Sequence, residues 1–100
     1  MKANAKQAKK VLRAIGIDAT ATWSQHGRLL METETLSMKA IRAKAQELKD
    51  VLGFKDVFDQ TNWGAKQVVV KSGHRAVVFT RYNGCPAMHI EFQDGAALVF

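Results

Sequence analysis

One cysteine and three histidines, Cys85, His26, His74 and His89, are the side chains of this 100-residue chain best suited to act as nucleophile, general base or metal ligand. Their spacing works against all three roles. Cys85 and His89 lie four residues apart along an extended segment. They therefore point to one face, about 13 Å apart, too far for a thiol–imidazole pair. His74 falls at the opposite end of the neighbouring strand, so three or four ligands do not converge on a metal. His89 and Glu91 share a face with Thr80, and a carboxylate beside a histidine makes a pH-sensitive patch. The plainer reading, a surface polar pair, is favoured. Neither a glycine-rich phosphate loop, a zinc spacing, an HExxH pair, a nucleophile elbow nor an RNP-type aromatic pattern occurs. Nothing here specifies a reaction, a cofactor or a metal, and the expectation is a protein that is not an enzyme.

A second chemistry is the attraction of polyanions. The formal net charge is +6, and residues 1–15 supply most of it: Lys2, Lys6, Lys9, Lys10 and Arg13, with no acid. Residues 16–50 carry five bases and five acids, and residues 51–100 carry five and four. A nearly neutral body with a basic N-terminal segment suits nucleic acid or an acidic protein surface. Aromatic side chains near cations stack on bases. Of Trp23, Trp63 and Tyr82, Trp63 is the best placed for this, with Arg81 and Tyr82 at a nearby hairpin tip. Burial under the sheet edge is nonetheless the reading adopted for Trp63, and Trp23 is read as core.

These groups need elements to hold them. One hundred residues is one domain, 1–100, and an apolar fraction of 47% suffices for a single core. No run of eighteen apolar residues occurs, so no transmembrane span is expected. The basic start lacks an apolar stretch after it, as a secretory signal would have, and lacks the serines of a transit peptide. The single cysteine excludes an internal disulfide framework, and a cytoplasmic location is expected.

Residues 3–15 read as a helix with Ala5, Ala8, Leu12 and Ile15 on one face and Lys6, Lys9, Lys10 and Arg13 as a basic stripe beside it. Its apolar face is thin, so weak packing is expected. Residues 19–34 read as a hairpin. A three-residue loop, Gln25-His26-Gly27, pairs Trp23 with Leu29 and Ala21 with Met31 and keeps one face apolar. Residues 38–52 are the clearest helix, with Ile41, Ala45, Leu48 and Leu52 inward, Ser37 as N-cap and Gly53 as left-handed C-cap. Residues 54–64 read as a short turn and loop. Strands follow at about 66–71, 75–81, 87–92 and 96–100, joined by Ser72-Gly73, Asn83-Gly84 and Asp94-Gly95. That register gathers Val68, Val70, Val77, Phe79, Met88, Ile90, Phe92, Ala97 and Val99 on one face. The other face holds Gln67, Val69, Lys71, Ala76, Val78, Thr80, His89, Glu91, Leu98 and Phe100, more apolar than a solvated sheet usually is.

The expected fold is α+β: two helices packed on one face of a mainly antiparallel sheet, in the order α-β-β-α-β-β-β-β. The leading functional expectation is a small binding module contacting nucleic acid through Lys2, Lys6, Lys9, Lys10 and Arg13. The alternative is a protein-binding inhibitor or accessory factor, of the kind phages and mobile elements encode. It would dock through Val69, Val78, His89, Leu98 and Phe100, with homodimerisation as a variant. A polyanion contact weakens steeply with salt, whereas an apolar sheet interface does not.

Overall fold

The computed structural model of the chain describes residues 5–25 and 27–93. Helix α1 (Ala5–Ala14) leads into a hairpin of β1 (Thr20–Gln25) and β2 (Arg28–Glu34). Helix α2 (Met38–Leu52) follows, then β3 (Asp56–Asn62), β4 (Ala65–Ser72), β5 (Arg75–Arg81) and β6 (Ala87–Gln93). The strands form one antiparallel sheet in the order β1-β2-β6-β5-β4-β3. Both helices contribute to one apolar core on one face of that sheet. Ala8, Val11 and Leu12 of α1 and Ile41, Ala45 and Leu48 of α2 meet Leu29, Met31, Val68, Val70, Val77, Phe79, Met88, Ile90 and Phe92. This is the α+β arrangement that alternating strands and two amphipathic helices dictate.

The order of elements agrees with the sequence reading, but two strands have different origins. Residues 56–62, read as turn and loop, form edge strand β3, paired along its whole length with β4 from Asp56↔Lys71 to Asn62↔Ala65. Only Val57 of this strand packs against the core, which is why its apolar pattern is faint. The strand expected at 96–100, with Ala97, Val99, Leu98 and Phe100, lies outside the described residues. The neighbour position beside β6 that it would need is taken by β2, which pairs Met31 with Ile90.

Helix α2 is built as its sequence directs. The Ser37 hydroxyl accepts from the Ala40 N–H at 3.1 Å. Gly53 leaves the helix at φ 69°, and the Phe54 N–H reaches back to the Lys49 carbonyl at 3.0 Å. These are the bonds of a Schellman end, which needs a residue able to adopt positive φ. Helix α1 is docked more firmly than its alanines suggest, because Val11 joins Ala8 and Leu12 and all three are fully buried. Lys44 of α2 donates to the Ile15 carbonyl at 2.6 Å and fastens the end of α1 to its neighbour.

The first hairpin corrects a register. Gln25 pairs with Arg28, leaving two residues between them, and Ala21 still pairs with Met31. A bulge between Ala21 and Trp23 reconciles the two and pairs Trp23 with Leu30. One extra residue shifts every later side chain to the other face. Trp23 therefore leaves the core face and is 45% exposed.

Both later turns slip by a similar logic. Ser72 pairs with Arg75 around Gly73-His74, and His89 pairs with Thr80, where a tight turn at Asn83-Gly84 would set it against Val78. Each slip moves the register by two residues. The faces are preserved because the side-chain period of a strand is two.

Candidate nucleic-acid interface

The charged side of α1 is carried by a helix that cannot easily turn. Its opposite side is closed by Ala8, Val11 and Leu12, so Lys6, Lys10 and Arg13 are left exposed and Lys9 half-buried. Arg13 sits in the last turn, where a cation is favoured by the helix dipole. Lys2 lies outside the described residues. The described part of α1 contains no acid. The solvent side of α2 is mixed: Glu47 lies 3.4 Å from Lys44, and Arg42 holds Asp59 of β3 with Nε and Nη2 both at 2.8 Å.

The face of the sheet away from the helices is closed by its own polar ladder. Gln60 donates to the Gln67 side-chain oxygen at 2.7 Å, and Gln67 donates to the Thr80 hydroxyl at 2.9 Å. Both Gln67 and Thr80 are buried, so these bonds spare them the cost of unsatisfied polar groups. The next strand continues the row. His89 Nδ1 lies 2.9 Å from the Tyr82 hydroxyl, and Nε2 lies 3.6 Å from the Glu32 carboxylate. Glu91, the partner expected for His89, turns instead to Arg28 at 3.5 Å and accepts from Gln93 at 3.3 Å.

A hydroxyl, an imidazole and a carboxylate in sequence are the parts of a proton relay. Here all three stay in contact with solvent, and the two rings pack edge to face with centroids 5.1 Å apart. The arrangement fixes the Tyr82 ring rather than enclosing a substrate. Cys85 is exposed in the turn after Tyr82, with its carbonyl accepting from Thr35. It is not joined to His89, and His74 lies in the turn at the other end of β5. Among the described residues, no three His, Cys, Asp or Glu side chains come together as a metal site.

Val69, Val78 and His89 do share the outer face. Val69 and Val78 are only 4% and 7% exposed, so they offer little contact area. The apolar groups that this face does present are Phe58, in the same row at the β3 edge, and Trp23 at the β1 edge. Leu98 and Phe100, placed with this interface by sequence, lie outside the described residues.

Trp63 is the largest departure from expectation. It is not buried under the sheet edge but fully exposed, at the tip of the β3–β4 hairpin. The same end of the sheet carries the β5–β6 connection, where the Cys85 N–H bonds to the Tyr82 carbonyl and Gly84 supplies a φ of 74°. Lys66 and Arg81, opposite each other in the β4–β5 ladder, point to the helix side just behind this tip. Lys66 has no special signal in the sequence. Only the Gly73-His74 turn, with the β4–β5 register it sets, brings it beside Arg81.

Comparison with known proteins gives no match to a family model, a curated protein or a solved structure.

Proposed function

We propose that this chain is a non-enzymatic nucleic-acid-binding module whose first contact with phosphate is the basic side of α1. The observation that carries the reading is a helix with cations on its solvent side, no acid, and a fully buried apolar seam. Lys6, Lys9, Lys10 and Arg13 are the contacting residues, joined by Lys2. Lysines and one arginine on a helix surface position a backbone and do not read bases. Five such contacts make the affinity fall by about 10²- to 10³-fold between 50 and 200 mM salt.

The test is fluorescence anisotropy of labelled duplex DNA, single-stranded DNA and RNA at both salt concentrations. It is run on the unaltered chain and on a Lys9→Glu/Arg13→Glu variant. Binding that weakens steeply with salt and is lost in the variant supports the reading. Absence of binding at 50 mM salt overturns it.

A second reading is docking of a protein strand along β3, for which the structure offers one specific feature. This seven-residue edge strand is free of bulges, and Phe58 on it is 42% exposed. Pairing in full register with its own copy would set Asp59 against Asp59. Like charges directly opposite are unfavourable, so an unlike strand suits this edge better.

A further inference from the structure

We infer that the hairpin tip at Trp63 is a stacking platform for an unpaired base, with Lys66 and Arg81 behind it holding the adjoining phosphates, so that the nucleic acid bound is single-stranded. This inference rests on the nucleic-acid reading above and narrows it.

Three observations converge at the tip. The first is backbone conformation. Asn62 pairs with Ala65, so Trp63 and Gly64 are the whole loop, and both have positive φ, 52° and 78°. Two-residue turns of this kind favour Asn-Gly or Gly-Gly, because the left-handed region pushes a Cβ against the backbone. Trp63 is the one non-glycine residue with positive φ among those described. An aromatic side chain in that position works against local stability.

The second observation is exposure. Burial would offset the strain, but the Trp63 side chain is 100% exposed and touches nothing that would repay it. A two-residue turn closing a regular ladder holds the indole out on a short, stiff support. Little freedom remains to be lost when a flat ring stacks on it.

The third is charge. Lys66 and Arg81 stand directly opposite in the ladder, an arrangement that like charges disfavour. Neither has a carboxylate partner among the described residues. Asp59, the acid that β3 places on this side, is already bound by Arg42. Arg81 is held in place by donating to the Leu36 carbonyl at 3.1 Å. Gly64, Lys66, Arg81 and Asn83 line a hollow of about 210 Å³ beside the turn. An anion there would relieve the repulsion between the two cations, and Asn83 adds donors and an acceptor.

An indole, two cations and a polar hollow are the parts of a single-strand site. Stacking uses the base's π-face, which a duplex keeps covered, while lysine and arginine track the phosphates. Beside the indole, the hollow is lined by Lys66, Arg81, Asn83 and a glycine, without the apolar side chains that form the core of a stable protein interface.

The variant that tests this is Trp63→Asn. Asparagine is favoured at positive φ, so the turn is retained and the ring alone is removed. Affinity is measured for a poly-dT oligonucleotide and for a duplex of equal length. The fluorescence of Trp63 is followed in a Trp23→Phe background. The expected result is a loss of about 5- to 150-fold in single-strand affinity for Trp63→Asn, with duplex affinity unchanged. Quenching of Trp63 by the oligonucleotide is expected as well. Lys66→Ala should also weaken single-strand binding.

Unchanged single-strand affinity in Trp63→Asn, or equal losses for both ligands, overturns the platform. If the Lys9→Glu/Arg13→Glu variant still abolishes binding in that case, the α1 reading stands without it, and the exposed indole is left to a protein partner. No binding of either ligand by the unaltered chain overturns both.

Discussion

Replacing Trp63 by asparagine should make the folded protein more stable, although it deletes one of the chain's two largest side chains. The reasoning has two parts. Trp63 is fully exposed, so no burial is lost with it. Its φ of 52° places it in the left-handed region, which costs an ordinary L-residue about 1–2 kcal/mol. Asparagine tolerates that region through its short polar side chain and should recover about 1 kcal/mol. For a domain of this size that is a rise in Tm of about 4–8 °C.

Alanine is the control. Trp63→Ala removes the same ring but keeps a Cβ with no special tolerance for positive φ, so its Tm should stay within about 2 °C of the unaltered chain. Glycine should fall between the two, because relief of strain is offset by about 0.5–1 kcal/mol of added freedom in the unfolded chain. Thermal unfolding followed by far-ultraviolet circular dichroism reads all three. Equal melting temperatures for the Asn and Ala variants would refute the strain argument, and a fall in Tm for Asn would show that the indole makes stabilising contacts.

Phe79→Ala, at a fully buried position where the sheet meets the helices, should cost about 3–5 kcal/mol in urea unfolding. Ser37→Ala removes the bond to the Ala40 N–H and should cost about 1 kcal/mol by the same assay. Arg42→Ala breaks a short ion pair, but both side chains are about half exposed, so the loss should stay below about 1 kcal/mol.

Helix α2 was fully legible because Ser37, Gly53 and the Ile41–Ala45–Leu48–Leu52 spacing mark its start, its end and its inner face. The inner sheet face was legible for a sturdier reason. Turn positions were misplaced by one residue, yet Val68, Val70, Val77, Phe79, Met88, Ile90 and Phe92 all lie inside, since register slips of two leave the faces unaltered. Strand β3 was hidden because an edge strand has one core residue, Val57, and because its turn begins with a tryptophan where asparagine is usual. The bulge after Ala21 was hidden too, since a single register was read for a hairpin whose tip and base differ by one residue. Of the proposed contact surfaces, the cations of α1 could be read directly. The pairing of Lys66 with Arg81 depends on a ladder that no local pattern reveals.

The bond from Lys44 to the Ile15 carbonyl has a thermodynamic consequence. A lysine- and alanine-rich segment left to itself would be ordered only on meeting its ligand, and part of the interaction energy would be spent on ordering it. Anchored at its C-terminal end by an amine from α2 and along its length by Val11 and Leu12, α1 is already a finished surface. Association through it should then register in calorimetry as a rigid event: a heat-capacity change near zero, and an entropy dominated by the small ions released rather than by the chain.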